Sequence, residues 1–351
     1  MPTPILSEIE VIAPNLKRRL SGVTATIARL VPIQSQVINI VATGPGLPSG
    51  TPHIPLWKNA FLPRNRWRVW HARRNTEMLL GLFLRHLLRR KLRLLFTSAS
   101  QREHTGYTRW LIGQMDGVVA TSQRTASYLH RPAHVILHGI DTETFGPVAD
   151  KPALRRRLNL PENALLLGCY GRIRARKGTD AFVQAMIAIL PARPDATALV
   201  MGRATEGHGA FLQDLKTQVA AAGLADRILF LPEVTVDQMP DWYRILDIYI
   251  APQRWEGFGL TPLEAMACGV PVVATRVGAF EDLVAPGETG ALVDPGDIPA
   301  LATAAAHLID NPTLRANQSA AALRRARTSF RIEDEAATLV ALYRRLLDPA
   351  A

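Results

Sequence analysis

The chain has 351 residues, 48% hydrophobic and 20% charged, a length comfortable for two domains and the balance of a soluble globular protein. Forty-one Lys and Arg against 30 Asp and Glu leave a formal net charge of +11, which points toward acidic partners: nucleic acid, anionic lipid or phosphorylated substrates. Two cysteines, Cys169 and Cys268, sit in apolar runs and form no zinc pattern, so a reduced, cytoplasmic setting with both thiols in the core is expected.

The opening MPTPILSEIEVIAP lacks a basic region ahead of an apolar core and does not read as a secretory signal. Glu8 to Ala13 reads as a first strand, with Ile9 and Val11 alternating. The basic loop 14–22, PNLKRRLSG, precedes a helical pattern from Val23 to Leu30. That strand–loop–helix order suits a phosphate-facing loop, in which Gly22 would let the backbone approach and Ser21 stands before it. The plainer alternative is that Gly22 only caps a helix. Val37 to Ala42 reads as a second strand and TGPGLPSG as a turn.

The stretch 63–93, PRNRWRVWHARRNTEMLLGLFLRHLLRRKLR, holds many arginines, Trp67 and Trp70, and one acid, Glu77. Its later part has helical spacing, with Leu80, Phe83, Leu84, Leu87 and Leu88 on one side. Met78 to Leu88 is too short to span a bilayer and contains Arg85 and His86. Two readings stand side by side: a basic amphipathic helix lying on anionic membrane, or a surface helix packed into its own domain. Leu92 to Ser98 reads as a strand, leading to a polar loop with Ser98, Gln101, Arg102 and His104. Open α/β sheets bind ligands at such strand ends, although a histidine in a polar loop is often merely solvated. Strands at Met115–Thr121 and His134–His138 complete a first domain of residues 1–149, ahead of GIDTETFGP.

From residue 150 to 330, strands at Leu165–Tyr170, Thr197–Met201, Ile228–Leu231 and Ile248–Ala251 alternate with helices at Thr179–Leu190, Ala210–Ala222 and Asp237–Ile245. This beat argues for a parallel sheet with helices on both faces. The first strand ends in GRIRARKG, which carries Gly171, Arg172, Lys177 and Gly178. Gly202 and Val234 follow later strands. In WEGFGLTPLEAMACGVPVVAT, Gly257 and Gly259 flank Phe258 and feed Leu260 and a helix. Thr261 reads as its N-cap with Pro262 at the first helical position, and Glu264 is spaced for a capping box. Gly269 is the helix stop, and Val270 to Ala274 is an apolar run of buried-strand length. Glu256 and Glu264 bracket the glycine loop: either both are structural, or both face a ligand.

Glu256, seven intervening residues, Glu264 and then AMACGVPVVAT resemble the signature of retaining glycosyltransferases with two Rossmann-like domains, family 4 type with the GT-B fold. The resemblance runs from the Gly22 loop to Tyr343. It implies two parallel-sheet domains facing across a cleft, and a C-terminal helix, residues 331–351, crossing back to the acceptor-side domain. It further implies that Arg172 and Lys177 clamp the donor pyrophosphate, Glu264 takes the ribose hydroxyls and Glu256 faces the hexose. His104 would stand near the donor sugar, with Gly22, Gly171, Gly202, Val234, Gly257, Phe258, Gly259 and Leu260 along the donor. In this family paired cations replace a divalent metal, and the chain contains no Asp-x-Asp, so no metal or other cofactor is expected.

NLKRRLSGVTATI, SASQREHT and RWEGFGLTPLEAMA are similar to the lipopolysaccharide core mannosyltransferases. That likeness implies GDP-mannose as donor and an anionic inner-core glycolipid as acceptor. It also implies a location in the cytoplasm or on the cytoplasmic face of the inner membrane. A UDP-glucose or UDP-GlcNAc enzyme acting on another envelope glycan is the alternative within the family. Two other classes fit the sequence less well. Nucleic-acid binding would suit the charge, but no aromatic-interleaved platform is present and Glu256 and Glu264 would oppose a phosphate backbone. A nicotinamide oxidoreductase would need a G-x-G-x-x-G after the first strand, which is missing.

Overall fold

The computed structural model describes residues 4–18 and 22–348, so Ser21 lies outside the described residues. They form two compact units: one of the residues up to Gly139 together with those from Ile332, the other Ile140–Arg331. The division falls ahead of position 149, because the segment after Gly139 is anchored in the second unit. There the ring of Phe145 lies 6.1 Å from that of Tyr243, and Arg244 donates to the carbonyls of Gly146 and Thr144 at 2.8 and 2.7 Å.

In the first unit the strands are β1 (Val11–Pro14), β2 (Ile40–Thr43), β3 (His53–Ile54), β4 (Arg68–Ala72), β5 (Leu92–Ser98), β6 (Gly117–Ala120) and β7 (His134–Val135). The helices are α1 (Gly22–Gln34), α2 (Asn75–His86), α3 (Gly106–Gly113) and α4 (Gln123–Ser127). Every pairing is parallel, in the order β3-β2-β1-β4-β5-β6-β7, so the winding reverses between β1 and β4. Strand β4 is the element hidden in the arginine-rich stretch. All five of its residues are buried, including Arg68 and His71, so it lacks the apolar signature of a central strand. The Arg68 guanidinium is tolerated there because it donates to the carbonyls of Pro63 (2.6 Å), Arg66 (3.1 Å), Leu6 (3.3 Å) and Ser7 (3.4 Å) and to Asn65 Oδ1 (3.2 Å).

Helix α2 does not bury the side its spacing suggests. Met78, Leu82 and Leu84 are buried and Leu79, Phe83 and Leu87 are exposed, while Leu80 and Leu88 pack partly against the core. Leucines surround this helix, so composition leaves its rotation open. Gly81 fixes it by lying directly over Trp70, where a Cβ would meet the indole, and Trp70 Nε1 donates to the Glu77 carbonyl at 2.9 Å.

The second unit begins with α5 (Lys151–Arg157) and carries β8 (Leu165–Tyr170), β9 (Ala196–Met201), β10 (Ile228–Leu231), β11 (Ile248–Ala251), β12 (Val272–Thr275) and β13 (Gly290–Val293). Its further helices are α6 (Thr179–Ile189), α7 (Gly209–Ala221), α8 (Met239–Arg244), α9 (Thr261–Ala267), α10 (Phe280–Leu283), α11 (Ile298–Asp310) and α12 (Pro312–Ser329). Strands β8, β9, β11 and β12 are apolar runs covered on both faces, as parallel sheets require. Their order, β10-β9-β8-β11-β12-β13, reverses between β8 and β11. The last helix, α13 (Ile332–Leu347), packs in the first unit, burying Ile332, Leu339, Val340 and Tyr343 against β1, β2 and α1.

Candidate active site

Ligands of doubly wound sheets bind outside the carboxyl ends of the strands, where the winding reverses. In the second unit that point lies between β8 and β11, and the loops leaving these two strands are fastened together. Gly178 has φ +72°, and a side chain there would overlap the Pro252 carbonyl, so only glycine lets the two loops meet. The Arg254 amide donates to the Arg176 carbonyl at 3.1 Å, and the Arg254 guanidinium forks onto both oxygens of Asp180 at 2.7 and 2.8 Å. Arg176 lies 3.8 Å over the ring of Trp255.

At the end of this seam Lys177 Nζ is paired with Glu256 Oε2, both side chains mostly buried. The other Glu256 oxygen accepts from the Gly257 amide at 3.0 Å. Arg172 is exposed and makes no ion pair among the described residues. The half-buried Arg174 has its guanidinium pKa lowered by burial and by its neighbours Arg172 and Arg176. Four cations therefore crowd one strand end, and one of them, Lys177, is paired with the carboxylate of Glu256.

The glycine loop is fixed from behind, since the Ala279 amide donates to the Phe258 carbonyl at 3.1 Å and Phe258 is buried. Gly259, with φ +86°, sits against Glu256 and the ring of Phe280, where a Cβ would clash with both. Helix α9 begins one residue away from the expected cap. Leu260 occupies the cap position without a side-chain bond, and Thr261 is already helical. No capping box forms. The Glu264 carboxylate instead accepts a 2.7 Å hydrogen bond from the Tyr243 hydroxyl, which is fully buried among the rings of Tyr170 and Tyr249. Burial, and then the charge of Glu264, push the Tyr243 pKa well above its ordinary value, so the phenol stays a donor. Tyr243 is not legible as a site residue in the sequence: it lies in a short, mixed helix with Asp241 and Arg244, and its need for a partner arises from the burial of its hydroxyl.

The strand ends place the remaining expected residues in two groups. Gly171, Arg172, Lys177, Gly202 and Glu256 to Leu260 stand at carboxyl ends of the second sheet or in the segments leaving them, with Glu264 in the first turn of α9 and Val234 in the loop after β10. There the Gly171 amide donates to Met201 and the Gly202 amide to Leu231. Gly22 and His104 belong to the first unit. Gly22 starts α1, and a Cβ on it would meet nothing within 4 Å, so packing does not demand glycine there. His104 lies between β5 and α3 with a buried, unbonded Nε2, its pKa lowered by burial and then by Arg102. Both thiols are buried, and burial pushes Cys169 and Cys268 up to about 12, which leaves them unreactive at neutral pH. Among the described residues no cluster of His, Cys, Asp and Glu is arranged to hold a metal ion.

Two doubly wound parallel sheets, with a cationic strand end facing a glycine loop and two glutamates in the second, define a GT-B glycosyltransferase. A family model described as glycosyl transferases group 1 matches residues 150–325, and the chain belongs to that family. It is 54% identical to the lipopolysaccharide core biosynthesis mannosyltransferase LpsB of Rhizobium meliloti (strain 1021), over 97% of this chain and 99% of that one. It is 50% identical to the lipopolysaccharide core biosynthesis mannosyltransferase LpcC of Rhizobium leguminosarum bv. viciae, over 98% of both. Among solved structures, Anabaena Alr3699/HepE in complex with UDP aligns with a TM-score of 0.83 at 19% identity, covering 95% of this chain and 99% of that one.

Proposed function

We propose that this glycosyltransferase moves mannose from GDP-mannose onto the inner core saccharide of lipopolysaccharide, with retention of anomeric configuration. The observation that carries the reading is the Lys177–Glu256 pair at the reversal point of the second sheet, opposite the glycine loop. The likeness to LpsB and LpcC supports the sugar and the acceptor.

In this reading Arg172 and Lys177 receive the diphosphate. Negative charge grows there as the glycosidic bond breaks, so fixed cations stabilise the transition state more than the ground state. Glu256, which holds Lys177 in place, faces the hexose. Glu264, steadied by Tyr243, accepts from the ribose hydroxyls. The amides and glycines from Gly257 to Leu260, with Gly171, Gly202 and Val234, complete the donor contacts. Gly22 and His104 belong to the first unit, and a substitution at each tests its part in donor binding separately. The acceptor hydroxyl attacks on the face that the phosphate leaves. The enzyme is proposed to use no metal.

Isothermal titration against GDP-mannose, UDP-glucose and UDP-GlcNAc in excess EDTA tests the donor. Selective binding of GDP-mannose that weakens in Glu264→Ala supports the reading. Selective binding of a UDP-sugar would replace the donor, and binding of none would overturn the site. In steady-state transfer, Lys177→Ala should lower kcat by roughly 10²-fold with a smaller change in KM. An unchanged kcat would remove Lys177 from the chemistry.

A further inference from the structure

The segment by which the chain leaves the first unit is fastened to α8, the helix whose Tyr243 supports Glu264. Asp141 shapes that segment. One of its carboxylate oxygens accepts from the amides of Glu143 and Thr144 at 3.0 Å each, and its carbonyl accepts from the Phe145 amide at 2.9 Å. The turn presents Phe145 to the interior, where it is buried. Arg244 of α8 takes the carbonyls on either side of Phe145, those of Thr144 and Gly146. Arg244 is itself held by Asp241 at 2.7 Å, which Arg157 of α5 also reaches at 2.7 Å. Pro147 lies against Gly269 just past α9, 3.6 Å from where a Cβ on that glycine would stand. Residues 144–147 therefore rest on α8 and on the end of the helix that carries Glu264.

Phe145 is also one of four packed rings. Its centroid is 6.1 Å from that of Tyr243, which in turn lies 5.3 Å from Tyr170 and 5.5 Å from Tyr249. The hydroxyls of Tyr170 and Tyr249 donate to main-chain carbonyls, that of Trp242 at 2.9 Å and that of Tyr170 at 3.3 Å. The Tyr243 hydroxyl instead leaves the cluster for the Glu264 carboxylate, at 2.7 Å. It sits at the far end of a rigid ring, and a bond this short tolerates little displacement, so a group that fixes the tilt of the ring fixes the bond. Two neighbours of that ring, Tyr170 and Tyr249, stand on strands β8 and β11, which the sheet holds. The third, Phe145, stands on the connecting segment.

We infer that Phe145 is a positioning residue for the donor: packed on Tyr243, it holds the phenol that presents Glu264, so the connecting segment sets the affinity of the site for a ribose. The inference rests on the reading of Glu264 as acceptor for the ribose hydroxyls, and on neither the base nor the sugar of the donor. Bulk alone does not supply this role. A branched aliphatic side chain fills much of the same space but lacks the flat face that keeps a neighbouring ring at one tilt.

Titration of the full chain and of Phe145→Leu with GDP and UDP, and with the dideoxyribose analogue of the tighter binder, tests it. The expected result is that Phe145→Leu weakens the nucleotide about three- to tenfold and leaves the analogue, which offers the carboxylate no hydroxyl, unchanged. In steady-state transfer the donor KM should rise with little change in kcat. In a Tyr243→Phe background Phe145→Leu should add nothing, because the phenol through which it acts is gone. Should Phe145→Leu unfold, Arg244→Lys carries the same test, since it loosens the carbonyls on either side of Phe145 and keeps all four rings. An equal loss for nucleotide and analogue would overturn the inference, as would an undiminished loss in the Tyr243→Phe background. Weakened binding in Glu264→Ala with none in Phe145→Leu would overturn this inference alone. Unchanged binding in Glu264→Ala, or a parent protein that binds neither nucleotide, would overturn the donor reading and this inference with it.

Discussion

At Glu264 a hydrogen bond from the buried Tyr243 hydroxyl helps to set how the carboxylate is presented. A glutamate in the first turn of a helix has several rotamers, and the capping box would have turned it back toward the chain. Tyr243 selects another, because its phenol is buried where the carboxylate is its acceptor. Tyr243→Phe should therefore raise the KM for the donor by about three- to tenfold, the worth of one ordinary intramolecular hydrogen bond, with little effect on kcat. An equal fall in kcat and kcat/KM would place the tyrosine in the chemistry instead. His71 is a second buried group whose partners fix its state. Its Nδ1 lies 2.7 Å from the Tyr343 hydroxyl and its Nε2 2.6 Å from Thr97 Oγ1, and burial, then Arg73, hold its pKa well below the ordinary histidine value. The unfolded chain gains this proton near pH 6.5 and the folded one does not. The stability it contributes is thus full above that pH and lost as pH falls below it, by at most about 1.4 kcal/mol per unit. Denaturant unfolding from pH 7.5 to 5 should show this slope reduced in His71→Gln; equal slopes would mean that His71 is protonated in the fold.

Elements in this protein are held by polar groups that their own sequence makes improbable. Strand β4 is central in its sheet, yet it begins with an arginine whose guanidinium gathers four carbonyls and an amide oxygen. Arg68→Leu keeps the bulk but leaves those carbonyls unsatisfied in the interior, at a cost of about 2–4 kcal/mol. Thermal unfolding would read this as a lowered Tm; a variant as stable as the parent would mean that water replaces the guanidinium. In the second unit, the seam between the loops after β8 and β11 combines a glycine contact, a forked ion pair and a stacked arginine. Each member is ordinary. Together they fix the cations and Glu256 on rigid strand ends, which is what preorganised electrostatics require.

Over the whole chain, the last helix is a part of the first unit although the second unit separates them in sequence. Helix α13 buries Ile332, Leu339, Val340 and Tyr343 in the core beside α1, and Glu335 accepts from His138, at 2.7 Å, and from the Gly139 amide, at 2.8 Å. Each such apolar side chain is worth about 1.5–3 kcal/mol, so their sum approaches the stability of a typical domain. Truncation after Arg331 should unfold the first unit while leaving the second able to bind nucleotide sugar, measurable by near-UV circular dichroism and titration. A cooperative, fully folded truncated protein would contradict the helix's role.

Much of the second unit was legible in its sequence. Strands β8, β10 and β11 have the boundaries that their apolar runs give, and GRIRARKG and WEGFGLTPLEA mark the loops that the sheet brings together. Parallel strands buried on both faces must be continuous apolar runs, and glycines mark where backbone meets backbone; both are properties of short segments. Four features were settled only in three dimensions: strand β4, the rotation of α2, the partner of Glu264 and the anchoring of 140–149 on the second unit. In each a polar or ambiguous side chain takes its role from residues distant in the chain: carbonyls around Arg68, Trp70 under Gly81, Tyr243 beside Glu264, and Arg244 beneath Gly146. Periodicity records which residues avoid water, but a buried polar group is acceptable only where its partners converge, and that convergence exists only in the folded chain.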